Sequence, residues 1–423
     1  MVTTKLLALL VTVTSSNLVH AGKAAPIIGQ YWPAYNSEIQ PLTDFPWDST
    51  DLAYYFVTET TPTGFGLPDG QSEADLAAFA PTAHKHGKKA LFSVGGWDGG
   101  IYFSDLVASA ANRTALAKDL KKFADKYKFD GVDLDWELTT FFPPKYPGSQ
   151  GIGCNIVRES DAANLLAFLK VLRQVFGKDK ILTAAVSATG FVGADGNALS
   201  SVAEYAKYLN YANLMTYDLG GNWDATTAPN SPLKTCLADY SATDSVTHWL
   251  DAGFPANQIL LGIPAYSHSF TTLSSTLAVT EVDGFKSLLY QNKTDQTAQG
   301  DHTDILSQDG LTGEGGYRRY WDDCTSTPFL FNNQSLEFIS YDDSRSAAAK
   351  ASYAKSKGLA GVMIFDSTGF NEQVLVAIKK ALGIACNNAS GSTVGSPKGA
   401  KQHGPSHHRR KHHKKSHKHP KRF

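Results

Sequence analysis

The chain has 423 residues, 42% of them hydrophobic and 19% charged, and a formal net charge of −1. That composition excludes a collagen-like or wholly disordered chain, and no apolar run is long enough to span a bilayer. The near-neutral total conceals a division. Ten of the positive charges and none of the negative ones lie from Asn388 onward, so the formal −1 becomes −11 for residues 1–387, and an acidic body of this kind is not expected to bind nucleic acid.

Residues 1–21 read as a secretory signal: Lys5 supplies the positive start, Leu6 to Val13 the apolar stretch, and Val19-His20-Ala21 the small-residue cleavage pattern. The mature protein is therefore expected outside the cell or in a cell wall. Sequons at Asn112, Asn292, Asn333 and Asn388 fit that route, and four cysteines, Cys154, Cys236, Cys324 and Cys386, predict two disulfides in an oxidising compartment, with three pairings open. Their spacings are too wide for a zinc knuckle, and no cofactor or metal is called for in the body.

From residue 22 to residue 386, β-rich apolar segments alternate with helical patterns. The candidate strands are Ile27 to Tyr31, Ala53 to Val57, Ala90 to Val94, Gly131 to Trp136, Leu182 to Ser187, Asn213 to Tyr217, Leu260 to Pro264 and Gly361 to Phe365. Glu73 to His86, Ala111 to Tyr127, Asp161 to Phe176, Ser241 to Ala252 and Asn371 to Leu382 carry helical spacing. Eight strands with helices between them predict an α/β chain folded as a (β/α)8 TIM barrel, whose active site lies at the carboxyl ends of the strands. The seventh and eighth strands are separated by far more than the usual short connection, so a small α+β insertion is expected at about 267–341.

The fourth strand carries the chemistry. It reads F-D-G-V-D-L-D-W-E, and strand alternation sets Asp133, Asp135 and Glu137 on one face and Val132, Leu134 and Trp136 on the other. Carboxylates so close cannot all ionise without cost, so at least one proton is held near neutral pH, ready for general-acid work. The layout lacks the ligand spread of a calcium loop.

The last eight residues of this segment, Asp130 to Glu137, resemble the D-x-x-D-x-D-x-E signature of glycoside hydrolase family 18, the chitinases and their relatives. The rest of the body is similar in order: L-F-S-V-G-G ending at Gly96, L-M-T-Y-D containing Met215, Tyr217 and Asp218, G-I-P-A-Y ending at Tyr266, and Y-D-D-S from Tyr341. The resemblance implies a secreted chitinase, endo-acting by preference, that cuts β-1,4 bonds between N-acetylglucosamine units with retention. Glu137 is then the general acid and base, and the substrate's 2-acetamido carbonyl is the nucleophile. Asp135 holds the acetamide N–H, Asp133 shares its proton, and Tyr217 bonds the acetamido oxygen. Asp218 is a sugar contact, whereas Asp130 braces the strand end. Trp97, Tyr266, Tyr31, Trp136, Met215, Gly96 and Phe365 are expected to line the substrate groove, with Trp32 and Trp223 as further strand-end aromatics equally suited to the core.

Three features depart from the family pattern. Phe365 stands in G-V-M-I-F where relatives carry Trp, which removes area and an indole N–H. His268 stands where many relatives carry Arg and reads as a structural hydrogen-bonding residue. The segment L-T-T-F-F-P-P-K after Glu137 leaves the family's pattern. Two other functions share the acid motif: a non-catalytic chitin-binding protein of lectin type, and an endo-glycosidase acting on N-glycans.

Residues 387–423 form a Gly/Ser linker and then a His/Lys/Arg tract with seven histidines. Low hydrophobicity and high charge predict disorder. A divalent metal and an anionic wall polymer are its candidate partners, beside chitin or chito-oligosaccharides for the barrel of a protein expected to be a monomer.

Overall fold

The computed structural model describes residues 25–136, 155–238, 240–282, 284–300 and 313–385. Glu137, the segment that follows it, Cys154, Cys386, Asn388, the signal and the basic tail lie outside them.

Eight parallel strands close on themselves: β1 Ile27–Pro33, β2 Leu52–Thr61, β3 Lys89–Gly95, β4 Gly131–Asp135, β5 Ile181–Ser187, β6 Tyr211–Met215, β7 Ile259–Pro264 and β8 Gly361–Phe365. Each pairs with the next in sequence, and β8 pairs with β1 in the register Ile27↔Gly361 to Gln30↔Ile364, so the sheet has no open edge. This is the expected (β/α)8 barrel. All eight sequence segments are strands, with ends shifted by a few residues. The largest shift is in β2, which runs on to Thr61, while β6 stops at Met215 and leaves Tyr217 and Asp218 in the loop above it.

Alternation decides what each strand contributes. Ile28 and Trp32 of β1, Ala53 and Tyr55 of β2, and Val132 and Leu134 of β4 face the helices, where they join Phe168, Leu169 and Phe129 in one large core. Each such side chain, once buried, contributes about 1.5–3 kcal/mol. The opposite faces of the barrel strands fill the interior, where Tyr31, Tyr54, Phe56, Leu91, Leu260 and Met363 pack together. Several helices begin on side-chain caps: Ser72, Ser109, Ser241 and Asn371 each accept a backbone N–H from the first turn.

Between β7 and β8, strands Lys293–Gly300, Ser267–Thr272, Glu337–Ser340, Thr327–Asn332 and Arg318–Asp322 form an antiparallel sheet in that spatial order. Phe270, Phe329, Phe331 and Phe338 give it a core of its own. Three fastenings hold this sheet to the barrel. Cys236, in the loop after β6, is bonded to Cys324, between two sheet strands. Arg319 donates from Nε and Nη2 to Asp343 Oδ2 at 2.8 and 2.5 Å, and Asp343 caps the helix Ser344–Ser356 in a reciprocal box with Ser346. Next to it, Asp342 receives Lys350 Nζ at 2.6 and 2.7 Å in a fully buried ion pair. The motif Y-D-D-S is thus a joint between insertion, helix and barrel.

Candidate active site

The acids of β4 enter the barrel because the strand alternates, and the neighbouring strands are built to receive them. Asp133 is fully buried. Its Oδ2 accepts from Tyr31 Oη (3.0 Å) on β1 and Ser93 Oγ (2.9 Å) on β3; its Oδ1 accepts from Thr183 Oγ1 (2.5 Å) on β5 and Asn213 Nδ2 (3.3 Å) on β6. Asn213 Nδ2 also donates to Tyr31 Oη at 2.8 Å, and Tyr54 Oη on β2 lies 3.5 Å from Asn213 Oδ1. Side chains from four other strands, β1, β3, β5 and β6, therefore converge on one carboxyl group of β4, and Tyr54 of β2 reaches it through Asn213.

Burial nevertheless dominates. It lifts the Asp133 carboxyl to about 6, even though the Thr183, Ser93 and Tyr31 hydrogen bonds pull the other way. Asp135, 4% exposed at the top of β4, is pushed well above the usual carboxylate range by burial and then by the Asp133 charge. Its Oδ1 has no hydrogen-bond partner among the described residues. Two carboxyls in series, both holding protons more tightly than usual, can accept and release protons near neutral pH.

The strand end is shaped by Gly95 and Gly96. Both have positive φ, 112° and 88°, and the Gly96 N–H donates to the Asp135 carbonyl at 2.8 Å. A Cβ on Gly95 would lie 2.1 Å from that carbonyl oxygen, so only glycine lets β3 and β4 meet here.

Tyr217 follows β6 and is nearly buried, its ring 6.1 Å from Phe365 in a stacked arrangement and 5.9 Å from Tyr266 edge-on. Phe365, at the end of β8, is also ringed by Phe56 (5.1 Å) and Tyr31 (5.5 Å), so it forms an aromatic floor beneath the mouth. Met215 packs in the same cluster. Trp97, directly after Gly96, is 49% exposed. Asp218, in left-handed conformation (φ 53°), is held by His268 Nε2 at 2.7 Å from Oδ1.

Two expected groove residues are placed elsewhere. Trp136 is buried on the helix side, stacked on Phe103 at 5.2 Å, because the alternation that turns the acids inward turns it outward. It is a core residue. Tyr31 is 1% exposed, its face covered by Tyr54 at 4.5 Å, so it is a hydrogen-bond partner of Asp133 and offers no sugar platform. Trp32 is likewise core. Asp130 sits at the opposite end of the barrel, bonded to His84, Lys89 and the Ala90 N–H.

Four side chains outside the sequence motifs, Thr183, Asn213, Tyr54 and the exposed mouth residue Tyr35, also belong to this region. The first three interrupt apolar strands at inward positions, which is the signal the sequence carries for them. Tyr35, 54% exposed, stands 6.3 Å from Phe56 on the loop after β1. A cavity of about 560 Å³ lies away from the acids, between the loop after β6 and the insertion, lined by Leu219, Asp224, Leu273, Tyr290 and neighbours.

Comparison with known proteins agrees with this geometry. Residues 28–369 match the family model for Glycosyl hydrolases family 18. A chitinase-like effector of Moniliophthora roreri is 34% identical over 401 residues, 88% of this chain and 96% of that protein. Chitinase A1 of Niallia circulans is 32% identical over 311 residues, 68% of this chain and 41% of that one. Among solved structures, a chitinase from Rhizomucor miehei superimposes with a TM-score of 0.72 at 26% identity, covering 84% of this chain and 99% of its own. With a closed barrel, paired acids at the end of its fourth strand and this match over most of its length, the chain belongs to Glycosyl hydrolases family 18.

Proposed function

We propose that the protein is a secreted chitinase that hydrolyses β-1,4 bonds between N-acetylglucosamine units with retention of configuration. The observation that carries this reading is the buried, proton-retaining pair Asp133 and Asp135, which directly precedes Glu137 in the sequence and shares the barrel mouth with Tyr217. Chitinase relatives support it.

In this mechanism Glu137 gives its proton to the glycosidic oxygen as the C1–O bond breaks, and the acetamido carbonyl oxygen of the substrate bonds to C1. Asp135 accepts the acetamide N–H, which turns the carbonyl toward C1, while Tyr217 Oη donates to that oxygen. Water then attacks C1, gives its proton back to Glu137 and reopens the ring. The raised affinity of the Asp133 and Asp135 pair for protons lets negative charge move along β4 as Glu137 changes state. A substrate without an N-acetyl group supplies no nucleophile.

One observation favours a second reading, a chitin-binding protein with weak or no cleavage: Phe365 gives the floor a smaller face than an indole. Mass-spectrometric product analysis on chitohexaose separates the two. The chitinase reading expects shorter oligomers from the wild type and a fall of roughly a hundredfold or more in rate for Glu137→Gln, with binding retained. If both proteins bind chitohexaose and neither releases product, the chitinase reading is wrong, and N-glycans are the next substrate to try.

A further inference from the structure

Asp218 is held from two directions, directly by His268 of the insertion and by Asn230 of the loop after β6, which is itself tied to the insertion. Its side chain meets His268 Nε2, which is 2.7 Å from Oδ1, and its backbone N–H donates to Asn230 Oδ1 at 2.8 Å. The Asn230 N–H in turn donates to Ser340 Oγ at 2.8 Å. His268 and Ser340 are direct partners across two strands of the inserted sheet. One cross-strand pair outside the barrel thus fixes both the carboxylate and the peptide of a residue next to Tyr217.

The restraint is one-sided. The His268 side chain is 8% exposed, whereas that of Asp218 is 29% exposed. His268 is further wedged between Tyr266, at 5.9 Å edge-on, and Trp223, at 6.4 Å. A partly exposed carboxylate in left-handed backbone, a conformation an aspartate adopts only at some cost, has been tied at side chain and main chain by buried groups. That is the construction of a preorganised acceptor: one oxygen is engaged, and the carboxylate stays accessible to a hydroxyl donor.

We propose that His268 is a positioning residue for sugar binding, holding Asp218 so that it accepts a hydroxyl of the bound chain, and that Ser340 supports the same group through Asn230. The inserted sheet is then part of the binding apparatus, acting through these two residues. This rests on the proposed reading of Asp218 as a sugar contact.

The test is steady-state kinetics on chitotetraose, with calorimetric binding of the same oligomer, for the full chain and its His268→Ala, His268→Gln, Asp218→Ala and His268→Ala/Asp218→Ala variants. Removing the donor should raise KM about tenfold, the worth of a charge-assisted hydrogen bond, and leave kcat within about threefold. Gln carries an amide N–H close to the position of imidazole Nε2, so His268→Gln should recover most of the loss. The double variant should be no worse than Asp218→Ala, because His268 acts through Asp218. A fall in kcat at constant KM, additive losses in the double variant, or variants indistinguishable from wild type would overturn the assignment while leaving the chitinase reading intact. A wild type that neither cleaves nor binds chitotetraose would remove both.

Discussion

At the scale of single residues, Asp133 shows how a barrel tunes a carboxyl group. It accepts four hydrogen bonds, which favour its charged form, and still its carboxyl is lifted to about 6, because no solvent reaches it. The sign for stability follows. Between the ordinary carboxylate value near 4 and about 6, the folded chain keeps a proton that the unfolded chain releases. Stability from this group therefore falls as pH rises through that window, by on the order of 3 kcal/mol. Asp133→Asn, which cannot ionise, should flatten the dependence of urea-unfolding midpoints on pH between about 4 and 6. An unchanged slope would mean that another group is responsible. The acids themselves were legible in the sequence, because four carboxylates within nine residues of an apolar strand would be costly to bury unless used. Their donors were harder to see: Thr183 and Asn213 are ordinary residues until β5 and β6 are laid beside β4. Trp136 is the instructive case, since the period-two rule that names Asp133 and Asp135 as inward already sends it to the helices, and only its being an aromatic near a strand end suggested a groove role.

At the scale of elements, the eight strands could be read because each is a short apolar run flanked by helical spacing, a pattern that local sequence carries by itself. The insertion could be placed by the length of chain between β7 and β8, but its strand order could not, since antiparallel pairing depends on partners distant in sequence. The approach of β3 to β4 is likewise invisible until the two backbones are side by side. Gly95 is where they touch, and Gly95→Ala should reduce stability by about 3 kcal/mol or more, through the contact with the Asp135 carbonyl and the loss of a favourable positive φ. Chemical denaturation checks this, and an unaltered midpoint would show that β4 shifts freely. Such a shift would also move Asp135.

At the scale of the whole molecule, the Cys236–Cys324 bond closes a loop of 88 residues that includes β7 and much of the insertion. Cross-linking so long a segment removes unfolded-chain entropy worth about 4.6 kcal/mol. Replacing both cysteines by serine should lower the thermal midpoint by several degrees while the wild-type circular dichroism is kept; an unchanged midpoint would mean that the other fastenings, Arg319 with Asp343 and Asp342 with Lys350, hold the insertion alone. The order in which the chain is made adds one more consequence. β1 finds its last neighbour only in β8, and Ser367 N–H donates to the Tyr31 carbonyl at 2.9 Å, so Tyr31 and the carboxyl it serves are clamped only after some 365 residues have left the ribosome. A nascent chain or a fragment cut short of residue 361 lacks β8, and with it a closed pocket for the Asp133 carboxyl.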